Sequence, residues 1–268
     1  MNRHDVKASP KTLLSLNDVT MYFTGLKAVD ALSFDIFEGE IIGLIGPNGA
    51  GKTTVFNCIT QFYKTYEGRI QFTLHDGQTV DLRETPVTKV IDRGIARTFQ
   101  NVELVPDLSV LENVLIGAHT QFKTGIWHHI LRFPAMKEEQ KLREKALKML
   151  EFLNLLPIKD FYAGGQPYGV RKKIEIARAL MSDPRLIILD EPAAGLNDAE
   201  TDELEAIVHK IRDEFGATVL LIEHDMGFVM NICDRVCAIN FGKFLAMDTP
   251  ENIQKHPDVQ EAYLGKED

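Results

Sequence analysis

The sequence predicts an α/β fold: a parallel-sheet core, an antiparallel β subdomain joined to its start, and a helical subdomain inserted into it. Three observations predict this. Short, almost wholly apolar runs at 41–45, 186–189 and 217–222 read as strands buried on both faces. Residues 12–37 instead alternate apolar and polar (Val19, Tyr22, Phe23, then Leu32, Phe34, Ile36), as strands of a half-exposed antiparallel sheet do. From about residue 100 to 182 the spacing becomes helical.

Taken in order, Glu38-Gly39-Glu40 turns the chain into the buried strand 41–45, and a helix is expected to start near Lys52. Segments 69–74 and 78–82 flank His75-Asp76-Gly77, a hairpin signal. Ser109-Val110-Leu111-Glu112 is a capping box, opening a helix to about His119. Leu142, Ala146, Met149, Leu150 and Leu153 recur at helical spacing within 137–154. A further helix over 171–182 is stopped by Asp183-Pro184. Strand 186–189 resumes the core, and helix 199–215 buries Leu204, Ile207, Val208, Ile211 and Phe215 before Gly216 closes it. Strand 217–222 follows, then a hairpin of 236–240 and 244–247 turning at Phe241-Gly242-Lys243. Two short helices begin near Pro250 and Pro257. The expected division is a core with its β subdomain at 1–99 and 183–248, a helical subdomain at 100–182 and a helical tail at 249–268, all one domain.

Composition excludes several classes. Apolar residues are 44% and charged residues 26%, globular values that argue against collagen-like or disordered chains. The longest stretch without Asp, Glu, Lys or Arg is shorter than the roughly 20 residues a spanning helix needs, so no membrane crossing is expected. No apolar run follows Met1–Asp5, so no secretory signal is expected either. The net charge of −9 disfavours broad nucleic-acid binding. Three cysteines without a CxxC pair (Cys58, Cys233, Cys237) read as buried thiols, not as a disulfide framework or zinc ribbon.

Chemistry concentrates at four places. Gly46-Pro47-Asn48-Gly49-Ala50-Gly51-Lys52-Thr53 fits G-x-x-x-x-G-K-[ST], the phosphate-binding loop, and it stands between a buried strand and a helix as that loop requires. Its backbone N–H groups and the helix N-terminus suit phosphate oxygens. Lys52 is placed to reach the β- and γ-phosphates of a nucleoside triphosphate, and Thr53 to offer a hydroxyl to Mg²⁺, with Thr54 beside it. The apolar run 186–189 ends in Asp190 and Glu191. Side chains alternate along a strand, which would aim Asp190 at the Mg²⁺ and Glu191 at the attacking water. His224 ends the run 219–223 on the same edge, where it can sense the γ-phosphate. Gln100 closes Ile95-Ala96-Arg97-Thr98-Phe99-Gln100, and its amide suits a releasable contact to Mg²⁺ or water.

The order phosphate loop, Gln100, Tyr168-Gly169 leading into Arg171–Leu180, Asp190-Glu191 and His224 resembles the ATPase subunits of ABC transporters, whose core is the RecA-like P-loop NTPase fold. In detail it is similar to the LivG-type ATPases of branched-chain amino acid importers. The carriers are Arg97-Thr98-Phe99-Gln100-Asn101, Asp190-Glu191-Pro192-Ala193-Ala194-Gly195-Leu196-Asn197, Ile222-Glu223-His224-Asp225-Met226, and the tail Pro257-Asp258-Val259 with Ala262-Tyr263-Leu264-Gly265. The resemblance implies ATP hydrolysis with Mg²⁺, catalytic roles for Glu191, His224 and Gln100, and metal contacts from Thr53, Gln100 and Asp190. It implies a dimer with a second ATPase subunit, two permease subunits, and indirectly an extracytoplasmic solute-binding protein, at the cytoplasmic face of the inner membrane. Urea, short amides and other amino acids stay open as cargo.

By the same resemblance, Phe23 stacks on adenine, with Tyr22 as second choice. Gly195-Leu196-Asn197 crosses the dimer interface, and 101–116 receives the permease. The signature loop departs from the family pattern Leu-Ser-Gly-Gly-Gln. Counting back from Ile176-Ala177-Arg178-Ala179-Leu180 gives Gln166-Pro167-Tyr168-Gly169-Val170, so Tyr168 and Gly169 would face a second chain's nucleotide without the usual serine. This departure predicts a weakened site. Two other classes compete: a soluble ABC-type ATPase acting on nucleic acid or the ribosome, and a P-loop small-molecule kinase. The first usually carries two modules or long coiled coils, absent here, and the second leaves Tyr168–Leu180 and His224 unexplained.

Overall fold

Five-residue strands, apolar except for Asp190 and Thr218, form the middle of the molecule because each must be covered on both sides. A computed structural model of the chain describes residues 10–98, 102–118 and 132–264. Gln100 and its neighbours Phe99 and Asn101 lie outside the described residues, as do His119 and Gly265.

The first sheet has four antiparallel strands in the order β2-β1-β4-β5. β1 (Thr12–Phe23) and β2 (Leu26–Phe37) are the alternating segment; β4 (Glu67–Thr73) and β5 (Thr79–Asp81) form the hairpin around Gly77. The second sheet runs β10-β9-β3-β8-β7-β6. Its members are β3 (Ile41–Ile45), β6 (Ile95–Arg97), β7 (Leu186–Asp190), β8 (Thr218–Ile222), β9 (Arg235–Asn240) and β10 (Lys243–Asp248). All neighbours pair in parallel except β10 on β9.

Alternation divides the core into two. Ile41, Ile45, Ile187, Leu189, Val219 and Leu221 face a cluster made with the helices. Ile42, Leu44, Leu186, Ile188, Leu220 and Ile222 face a second, made with the antiparallel sheet and Val55, Phe56 and Ile59 of α1 (Lys52–Ile59). α2 (Val110–Ile116), α3 (Arg132–Phe152) and α4 (Tyr168–Leu180) pack on one another and contribute to the first cluster. α5 (Asp198–Phe215) and α6 (Met226–Ile232) cover the same face, and α7 (Pro250–Lys255) and α8 (Pro257–Leu264) close the chain against β10.

Three expectations need correction. The segment 95–97, for which no strand is expected, forms β6, an edge strand beside β7. The strand expected over 78–82 stops at Asp81, whose side chain accepts from the Arg83 N–H and caps a 3-10 turn, Leu82–Glu84. The helix expected from 171 begins at Tyr168, because Pro167 fits the extended cap position and needs no N–H there.

Candidate nucleotide site

β8 lies between β3 and β7 with Leu44 and Asp190 both paired to Ile222, so three strand ends stand side by side. The segments that leave them carry Lys52, His224 and Glu191. Such a row of carboxyl ends is where parallel α/β sheets hold ligands.

The loop after β3 is fastened from two sides. The Gly242 N–H donates to the Ala50 carbonyl at 2.8 Å. Gly51 caps α1 with φ +103, and a Cβ there would stand 2.4 Å from the Ala28 carbonyl oxygen; only glycine fits. Lys52 is buried, donating from Nζ to the carbonyls of Gly46 at 2.6 Å and Pro47 at 3.0 Å. Burial pushes its ammonium below the ordinary lysine value, while Glu191 and Asp190 oppose that shift. Thr53 is exposed and Thr54 half-buried in the first turn of α1.

A cleft of about 410 Å³ is lined by Asn48, Gly49, Ala50, Gly51, Lys52, Thr53 and Thr54 together with Glu191 and His224. Its apolar wall comes from Leu26, Ala28 and Phe241, with Lys27 among them. Phe23 sets its ring edge-on to Tyr63 at 5.1 Å, and Tyr22 lies under Lys27 with the ammonium 5.7 Å from the ring centre. Phe241, 80% exposed with φ +47, is an aromatic the sequence reading passed over as a turn residue.

The two carboxylates do not divide by strand alternation as expected. β7 ends at Asp190, and Glu191 leaves it in a left-handed conformation, φ +48. That backbone turn sets the direction of the Glu191 side chain. Left-handed backbone at a residue other than Gly, Asn or Asp is costly and is concentrated at functional sites. The Glu191 N–H donates to the Ile222 carbonyl at 2.9 Å, and Glu191 Oε1 meets His224 Nε2 at 2.9 Å. Asp190 is buried and accepts from Arg97 at 2.8 Å, whose other arm donates to the Asn57 amide oxygen at 2.7 Å. Arg97 thus ties the β6 end to the β7 end and α1.

Two buried charges hold the turn after β7. Lys172 Nζ donates to the carbonyls of Glu191 at 2.7 Å and Pro192 at 2.9 Å. Glu223 accepts from the Ala193 N–H at 2.6 Å and the His224 N–H at 3.2 Å. Burial raises the Glu223 carboxyl above its usual value and lowers the Lys172 ammonium. The sequence reading gave neither residue a role. Helical spacing held a signal for Lys172, three residues after buried Gly169 and four before buried Ile176.

Of the signature segment 166–170, Gly169 is buried, Pro167 is exposed and the other three are half-buried. Tyr168 is half-buried, with ring carbons 3.2 Å from the position a Cβ would take on Gly195, and Arg171 and Lys172 approach the ring. Gly169 is buried against α5: a Cβ there would stand 2.5 Å from a Glu200 carboxylate oxygen, and Glu200 completes the Asn197 capping box. Val170 packs on the helix-side core. Further along, Asn113 is fully buried, accepting from the Val105 N–H and donating to the carbonyls of Val105, Leu108 and Ser109, which fixes the loop before α2.

Comparison with known proteins agrees with this geometry. A family model described as "ABC transporter" matches residues 29–194, and one described as "Branched-chain amino acid ATP-binding cassette transporter" matches 245–268. The high-affinity branched-chain amino acid transport ATP-binding protein BraF of Pseudomonas aeruginosa is 43% identical over 257 residues, 96% of this chain and 99% of that protein. The LivG protein of Escherichia coli K12, described in the same words, is 44% identical over 95% of this chain and 98% of its own. A crystal structure of the ADP conformation of an ATP-binding cassette of an ABC transporter superposes with a TM-score of 0.81 at 32% identity, covering 95% of this chain and 99% of that one. A nucleotide-free cassette from an ABC transporter gives 0.80 at 31% identity, covering 95% and 100%. With the phosphate loop, the Glu191–His224 pair and the parallel strand order in place, this chain belongs to the ATP-binding cassette family of ABC transporters.

Proposed function

We propose that the chain is the ATP-hydrolysing motor subunit of an importer for branched-chain amino acids. It would work as a peripheral subunit at the cytoplasmic face of the inner membrane, in a dimer with a second ATPase beneath two permease subunits, with a solute-binding protein delivering cargo outside. The observation that carries the reading is the meeting of Lys52, Glu191 and His224 in one cleft, at the ends of β3, β7 and β8. The cargo follows from what BraF and LivG are described as serving, together with the match over 245–268. Among the described residues no helix is long and apolar enough to cross a membrane.

In this reading the loop Gly46–Thr53 cradles the phosphates and Lys52 turns its ammonium from two carbonyls toward them. Glu191 takes a proton from the water that attacks the γ-phosphorus as the bond to ADP breaks. His224, in hydrogen-bond contact with Glu191, holds that carboxylate on its axis. Leu26, Ala28 and Phe241 shield the nucleoside side of the cleft, and Phe23 is not among its lining residues. The Thr53 hydroxyl and the Asp190 carboxylate are hard oxygen donors, the small set Mg²⁺ uses when phosphates and water complete its shell. Bound there, Mg²⁺ would neutralise charge on the β- and γ-phosphates. The helical subdomain, 100–182, presents Val105, Ile116, Phe161 and Tyr162 as exposed apolar groups for the permease, in and beside the segment 101–116 expected to receive it.

The test is purification of the chain from membranes with its partners. A permease pair and a second ATPase should co-purify, and the reconstituted complex should accumulate leucine, isoleucine or valine on ATP. A chain recovered only on ribosomes or nucleic acid, or vesicles that import other solutes alone, would contradict the proposal.

A further inference from the structure

α4 carries two things at once. Its first residues, Tyr168 and Gly169, belong to the signature segment, and one turn later Lys172 reaches the backbone after β7. Lys172 is 6% exposed. A lysine is rarely placed so deep, because its ammonium loses solvation there. Here it meets two carbonyl oxygens, Glu191 and Pro192, and the carboxyls of Glu223, Glu175, Glu191 and Asp190 act on it electrostatically.

The turn it grips needs a grip. Glu191 is held in left-handed backbone and has no glycine's freedom there. Three contacts fix it: the Ile222 carbonyl on its N–H, Lys172 on its carbonyl, and Glu223 on the N–H of Ala193. Glu223 also accepts from the His224 N–H, so the same carboxyl sets the partner of the Glu191 side chain. Catalytic groups misplaced by about 1 Å lose roughly a hundredfold in rate.

We propose that Lys172, with Glu223 as its counterpart, is the positioning residue that holds the Glu191 turn in reacting geometry and ties it to the signature helix α4. The inference rests on Glu191 acting as the base. Lys172 lies outside the phosphate loop and touches none of its residues by hydrogen bond among the described contacts. Removing it should therefore change the rate of the bound complex and spare nucleotide affinity.

The experiment compares Lys172→Met and Lys172→Arg in the intact transporter for kcat and KM, and in the purified chain for ATP affinity by calorimetry. Lys172→Met is expected to lower kcat at least about tenfold with affinity within about twofold of the parent. Lys172→Arg, which keeps a cationic donor, should recover a good part of the rate. A Lys172→Met chain with unchanged kcat, or one that loses affinity and rate together, would overturn the proposal. So would a Lys172→Arg chain no faster than Lys172→Met. Should Lys172→Met fail to fold, Glu223→Gln carries the same expectation: a fall in kcat with affinity kept, and unchanged kcat overturns. Glu191→Gln run beside them separates the two claims, since full turnover there would refute the base itself and leave the positioning question without an object.

Discussion

At Lys52 burial and charge pull in opposite directions, and the loop resolves them by giving the ammonium two carbonyls to hold. Those carbonyls are weaker partners than phosphate oxygens, so the lysine is poised to exchange them. Lys52→Ala should weaken ATP binding roughly ten- to a hundredfold, the loss of about 1.5–3 kcal/mol for a charged hydrogen bond. Calorimetric titration checks this, and unchanged affinity would contradict the placement. Single residues were the most legible scale of the site wherever a spacing motif fixed them. The phosphate loop was readable because its glycines answer a backbone demand, as Gly51 against Ala28 does. Lys172 and Glu223 were hidden because the partners that tie them to the Glu191 turn are backbone groups 19 to 30 residues away in sequence, which no local pattern encodes. Phe241 was hidden because a turn residue is read for its backbone, not for the wall its ring supplies.

Among the elements, α4 shows where local reading stops short. Periodicity marks its apolar face from 171, three residues after the helix begins, because the first turn, Tyr168-Gly169-Val170, has no pattern of its own and starts on the cap at Pro167. At that cap Pro167 has extended backbone and no side-chain hydrogen bond to the first turn. Pro167→Ser should supply one and stabilise the chain by about 1 kcal/mol, raising Tm by roughly 2–4 °C. Thermal melting reads this directly. An increase in turnover alongside it would mean the signature segment now serves a second chain's nucleotide better; stabilisation without a change in turnover would mean Tyr168 and Gly169 suffice. A lowered Tm would contradict the capping argument. The capping boxes at Ser109 and Asn197 show the opposite case, where side chain and backbone bonds are three residues apart. Of these, only the box at Ser109 was read from sequence.

Over the whole molecule, the two-faced sheet explains both the fold's legibility and its thiols. Unbroken apolar runs can be satisfied only inside, so the α/β class was readable from them, while the order β10-β9-β3-β8-β7-β6 was not, because pairing between distant strands leaves no local mark. Cys58, Cys233 and Cys237 sit in that interior. Burial pushes the thiols of Cys58 and Cys237 from 9.0 to about 12 and raises Cys233 as well. The native chain therefore keeps protons that the unfolded chain releases. The contribution is fully present below about pH 9, the unfolded value, and is lost as pH rises toward 12. Each retained proton lowers stability by about 1.4 kcal/mol per pH unit in that window. Urea midpoints should fall steeply above pH 9, and native thiols should resist alkylation at pH 8 while unfolded ones react. Fast native alkylation would contradict the burial.

Under the proposed function the cleft between β3, β8 and β7 hydrolyses ATP with Glu191 as the base. Glu191→Gln keeps the shape and the hydrogen-bond reach to His224 while removing the proton acceptor. Turnover of the reconstituted transporter carrying Glu191→Gln, measured beside ATP binding by the same chain, tests it most directly. Turnover lower by at least roughly a hundredfold with ATP affinity retained is expected; hydrolysis near the parent rate, or loss of binding in step with the rate, would refute Glu191 as the base.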